Sequence, residues 1–115
     1  GCTGWLAGLR DPVVSRALTL LHQQIARNWN VEDLGREVGL SRSALAERFV
    51  SVIGVPPIQY LAQWRMQVAA LSLRSTSLPL ARVAERVGYE SEAAFSRAFK
   101  KTYDVAPATW RRQNT

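Results

Sequence analysis

The chain repeats itself, and the repeat limits what it can fold into. At an offset of 49, Val31, Leu34, Gly35, Val38 and Gly39 map onto Leu80, Val83, Ala84, Val87 and Gly88. After one extra turn residue the offset becomes 50, and Ser41, Leu45, Phe49 and Pro57 map onto Ser91, Phe95, Phe99 and Pro107. Apolar positions, turn glycines and cap serines all agree, so one fold is used twice. In the first copy a helix starts after Asn30, whose side chain caps its free N–H groups, with Glu32 and Asp33 at the positive end of its dipole. Gly39 supplies a left-handed turn and Ser41 caps a second helix that buries Leu45, Phe49 and Val52-Ile53. Gly35 is the small residue where two helices cross closely. This is the pattern of a helix-turn-helix.

The flanking segments read as support. Asp11-Pro12 is an N-cap and first-turn proline for a helix from Pro12 to about Asn28, with Val14, Ala17, Leu18, Leu21 and Ile25 along its apolar stripe. Trp29 staples the entry to the next helix. His22 lies beside the stripe with no second ligand on its helix, and no chemistry is assigned to it. Gly54 and Val55-Pro56-Pro57 end the first helix-turn-helix, and a helix from Pro57 to about Arg74 presents Ile58, Leu61, Trp64, Val68 and Leu71 on one face. At about 1.5 Å per residue it is a rod of about 27 Å that separates two modules. Pro79 opens the second copy, and a last short helix from Pro107 covers it with Trp110. The expected organisation is a linker remnant at 1–11 and one all-α domain at 12–112. That domain comprises a first lobe at about 12–54, a linker helix at about 57–74 and a second lobe at about 78–112. Within the remnant, Trp5-Leu6-Leu9 tacks the segment to the domain and Cys2 is an incidental thiol.

Composition selects the class of partner. The 115 residues carry a net charge of +6, mainly through thirteen arginines and two lysines, which draws the surface to polyanions. An apolar fraction of 47% is ample for a packed core. There is no run of eighteen apolar residues and no secretory start, so a cytoplasmic protein with no membrane partner is expected. The missing initiator methionine suggests a fragment. One histidine, one cysteine, no glycine-rich phosphate loop and no carboxylate pair assemble neither a catalytic nor a metal site, so no enzyme and no cofactor is expected.

The stretches GLSRSALAERF, GVPPIQYLAQWRMQVAALSLR and VAERVGYESEAAFSRAFKKTYDVAPATWRR resemble the C-terminal DNA-binding domain of AraC/XylS-type transcriptional regulators. The motif is most specific in the second half, as Val83-Ala84, Gly88-Tyr89, Ser91, Phe95-Ser96-Arg97-Ala98-Phe99-Lys100-Lys101 and Pro107 to Arg111. The resemblance implies a seven-helix, two-lobed domain that places one helix of each lobe in successive major grooves of double-stranded DNA. It also implies an N-terminal effector-binding or dimerisation domain outside this chain, where any small-molecule effector would bind, with RNA polymerase as a further partner.

Helical phase names the side chains that would face DNA. With Phe95 and Phe99 toward the core, Ala93, Arg97 and Lys100 point away and Glu92, Ser96 and Lys101 flank them. Arg97 matches O6 and N7 of guanine, Ala93 and Ala94 are of a size to meet a thymine methyl, and Lys100 and Lys101 suit phosphates, as do the cap residues Ser41 and Ser91. An ion pair of Arg97 with Glu92 or Glu90 is the alternative. In the first copy Ser43, Glu47 and Val50 point outward, beside Arg42, Ala46 and Ser51, with Arg42 a phosphate candidate. Here the chain departs from the family: Glu47 stands where many relatives carry arginine, and residues 31–54 have a net charge of −1 against +3 for 79–112. Glu47 either accepts from cytosine N4 or pairs with Arg48 or Arg42 and leaves recognition to Ser43 and DNA shape. Arg65 is expected to approach a phosphate or pair across the lobes. The rival to DNA binding is a helical protein-interaction module, contacting RNA polymerase for example; RNA binding is disfavoured because the aromatics lie in core phase.

Overall fold

Asp11 starts the first helix by accepting from the N–H groups of Val13 and Val14 at 3.0 and 3.1 Å. The structure, a computed structural model, describes residues 10–115, so the expectations for Trp5-Leu6-Leu9 and Cys2 lie outside the described residues. Seven helices follow Asp11: α1 Pro12–Gln23, α2 Val31–Val38, α3 Arg42–Ile53, α4 Pro57–Ser75, α5 Leu80–Arg86, α6 Glu92–Tyr103 and α7 Pro107–Gln113, with no strand among the described residues. No helix among them is long and apolar enough to cross a membrane. The chain divides within α4 into a unit that ends at Ala62 and a unit Gln63–Thr115.

In the first unit α1, α2 and α3 pack on one another around Val14, Ala17, Leu18, Leu21, Leu34, Leu45 and Phe49, and Leu61 of α4 closes the core. Val31, Val38, Val52 and Ile53 are half-buried against it. The α2–α3 turn is built as expected. Asn30 and Ser41 cap their helices through their side chains, and Gly39 takes φ +78°. The second unit repeats the plan. Ser91 caps α6, Phe95 and Phe99 are fully buried, and Pro107 opens α7 as Pro57 opens α4. Asp104, the counterpart of Gly54, ends α6 at φ +66°, a conformation an aspartate accepts more readily than most residues with a β-carbon.

Two expectations need correction. The first helix ends at Gln23 rather than near Asn28. The Gln24 carbonyl, which would take the Asn28 N–H in a continuing helix, instead accepts from Arg27 N and Trp29 Nε1 at 3.1 and 3.0 Å. The apolar face expected on α4 is also not one stripe: Ile58 and Leu71 are 38% and 54% exposed, and Trp64 and Val68 are only half-buried. Burial falls instead on Pro57 and Leu61 in the first unit and on Met66, Ala69, Ala70 and Leu73 in the second. That second set has the spacing of Val14, Ala17, Leu18 and Leu21. The later part of α4 is therefore the second unit's counterpart of α1, and the repeat extends further upstream than the helix-turn-helix.

The aromatic closure is duplicated as well. Tyr60 meets Phe49 edge-on at 5.8 Å, and its counterpart Trp110 meets Phe99 edge-on at 5.9 Å. In the second unit Tyr103 Oη and Arg111 Nε donate to the carbonyls of Met66 and Leu73 at 3.3 and 3.0 Å, fixing α6 and α7 to α4.

Candidate nucleic-acid interface

Each unit presents one helix whose outer face is free of packing. On α6, Glu92, Ala93, Arg97, Lys100 and Lys101 are exposed and Ser96 is half-buried, as the phase of Phe95 and Phe99 requires. Arg97 makes no ion pair with Glu92 or Glu90 among the described residues, so its guanidinium is available for recognition. Lys100 and Lys101 lie in the last turn, exposed beside it. On α3, Arg42, Ser43, Glu47, Val50 and Ser51 are exposed and Ala46 is half-buried. The cap serines sit at the starts of these helices: Ser41 Oγ accepts from Ala44 N at 3.2 Å and Ser91 Oγ from Ala94 N at 3.0 Å. Both serines are exposed, and each keeps its own O–H to donate outward.

Sequence reasoning missed the fate of Arg48. It lies 2.8 Å from Asp11, the cap of α1, and this hydrogen bond holds the Asp11 carboxyl below the usual carboxylate range. Arg48 thus ties α3 to the start of α1. Glu47, left with two options by the sequence, makes no ion pair with Arg48 or Arg42 and stands as an exposed carboxylate. A partner 37 residues away left no local signal to find.

Arg65 is half-buried, with its guanidinium 5.8 Å from the centroid of the Tyr89 ring in the second unit's turn. Burial lowers its pKa and raises that of Tyr89. Trp29 is buried, with Arg27 stacked 3.8 Å from its ring centroid.

A helix-turn-helix domain model matches residues 34–113. The chain is 48% identical over 113 residues to a Streptomyces lividans protein described as an AraC-like transcription regulator, covering 98% of this chain and 37% of that protein. It is 37% identical over 110 residues to the transcriptional regulator AlkR of Acinetobacter baylyi, covering 96% of this chain and 36% of the relative. The chain therefore spans little more than a third of these relatives. Among solved structures, the C-terminal domain of AraT, a response regulator from Geobacillus stearothermophilus, superposes with a TM-score of 0.85 at 34% identity, over 90% of this chain and 86% of that one. The DNA-binding domain of AdpA, solved in complex with a target DNA, superposes with a TM-score of 0.83 at 26% identity, over 90% of this chain and 92% of that one.

Proposed function

Because the chain belongs to the AraC-type helix-turn-helix family, we propose that it is the sequence-specific DNA-binding domain of a bacterial transcription regulator, in which α3 and α6 each read one half-site in a major groove. The observation that carries this is the pair of unpacked outer faces on matched, serine-capped helices, one of them bearing an unpaired Arg97 beside Lys100 and Lys101. Arg97 reads guanine through O6 and N7, with Ala93 and Ser96 beside it meeting neighbouring bases and Glu92 bordering the face; Ser43, Ala46 and Glu47 read the other half-site. Lys100, Lys101, Arg42, Ser41 and Ser91 meet phosphates, which fix register without reading sequence. Arg65, 5.8 Å from the centroid of the Tyr89 ring, approaches a phosphate.

Residues 12–112 act as one domain with two lobes joined by α4. It has no catalytic role. Its place is the cytoplasm, at the nucleoid when bound to DNA, with RNA polymerase as a further partner. A domain of the full regulator outside this chain takes any small-molecule effector.

The test is selection of retained sequences from a randomised duplex pool, with Arg97→Ala and Lys100→Ala beside the parent. Arg97→Ala is expected to relax one guanine position by about 1–3 kcal/mol of discrimination. Lys100→Ala is expected to weaken all sequences alike and to reduce the salt slope by about 1. An unchanged motif in Arg97→Ala removes the base-reading role.

A further inference from the structure

We infer that the first helix-turn-helix selects a C·G pair beside a T·A pair, Glu47 accepting from cytosine N4 and Val50 packing on the thymine methyl. This rests on the DNA-binding function proposed above and names what one half-site contains.

Glu47 and Val50 share the outer face of α3, and both are exposed. Glu47 is exposed with no ion pair among the described residues, while its neighbour Arg48 is engaged by Asp11. Val50 is 41% exposed, and a β-branched residue at such a site adds nothing to helix stability that a lysine would not exceed. At the matched positions of α6 the chain carries Arg97 and Lys100. The donor of one unit is replaced by an acceptor in the other, and a cation by an apolar group.

Base-edge chemistry then decides what such a pair accepts. A carboxylate only accepts hydrogen bonds, and it is repelled by phosphates, by guanine O6 and N7 and by thymine O4. Adenine offers an amino group with the acceptor N7 beside it. Cytosine offers N4–H₂ without that neighbour, so it is the base edge an unpaired carboxylate tolerates best. Val50 lies three residues on, about 4.5 Å along the helix axis at about 1.5 Å per residue. The base-pair rise is about 3.4 Å, so the next pair is within its reach. The group there that an isopropyl side chain favours is the thymine C5-methyl. The negative charge also lowers affinity for every wrong sequence, so Glu47 discriminates by exclusion as well as by contact.

The experiment selects sequences from a randomised duplex pool with the parent chain, Glu47→Gln, Glu47→Ala and Val50→Ala, then measures affinity on the selected duplex with thymine replaced by deoxyuridine. The parent is expected to retain adjacent C·G and T·A pairs in the half-site that Arg97 does not govern. Glu47→Gln moves the first preference to A·T, because glutamine pairs with adenine N6 and N7. Glu47→Ala loses that preference and binds random duplex more tightly than the parent. Deoxyuridine weakens the parent about fourfold, as expected for one lost methyl contact, and weakens Val50→Ala less, because the shorter alanine makes a smaller contact. If the variants keep the parent's half-site and deoxyuridine is neutral while Arg97→Ala still alters the other half-site, this inference is overturned and DNA binding stands. If the parent retains no motif, the proposed function itself falls.

Discussion

Gly35 has no room for a β-carbon: one placed there would stand 2.6 Å from the carbonyl oxygen of Leu40, whose own N–H donates to Gly35 O at 2.9 Å. The contact is with backbone and cannot be relieved by a rotamer change. Gly35→Ala is therefore expected to destabilise the chain by about 1–3 kcal/mol, the usual range for overpacking, in urea or thermal unfolding. At the matched site Ala84 is buried, and the turn that follows is one residue longer; there Tyr89 N donates to Ala84 O at 2.9 Å. Residues of this kind were legible in the sequence because their causes are local: a small residue at a helix crossing, a glycine at a left-handed turn, a serine before a helix. The Asp11–Arg48 pair was not legible, since it depends on tertiary placement. Nor did the sequence decide whether Glu47 pairs, because that followed from where Arg48 goes.

At the scale of elements, the two expectations that failed have separate tertiary causes. The spacing in α4 predicts one amphipathic rod, whereas the nineteen-residue helix closes one core with Leu61 and founds another with Met66, Ala69, Ala70 and Leu73. Two short stripes in different phases, the second of them half alanine, give a weak periodic signal that the larger, exposed Ile58 and Leu71 outweigh. The end of α1 is not legible in its own residues, because the Gln24 carbonyl is claimed from outside the helix by Trp29 Nε1.

One contact between elements of the first unit yields a pH prediction. His22 Nε2 of α1 and Tyr60 Oη of α4 are 2.6 Å apart, and burial lowers the His22 pKa. A base whose pKa is lowered by folding is protonated more readily in the unfolded chain, so it favours unfolding as pH falls below the ordinary histidine value of about 6.5. His22 is the sole histidine of the sequence. Urea unfolding at several pH values from about 7.5 to 5.5 is expected to show stability falling in that window, and His22→Gln is expected to flatten it.

For the molecule as a whole, charge is divided unevenly. Residues 63–115 hold nine cations against four acids and residues 1–62 six against five, so most of the +6 lies in the second unit. Under the proposed function, attraction to DNA phosphates then rests chiefly on that unit. Fold and family were legible in the sequence because twin helix-turn-helix patterns and the Phe-Ser-Arg-Ala-Phe-Lys-Lys run are continuous stretches. The open condition of each reading side chain was not, because it depends on what the rest of the fold leaves unpaired.

Whether the matched helices of the two units read duplex DNA is decided by retention from a randomised duplex pool at several salt concentrations. A motif in two half-sites of different sequence is expected, with a log affinity that falls linearly with log salt, by about 0.9 per phosphate engaged. A pool recovered without enrichment, at an affinity indifferent to salt, would contradict it.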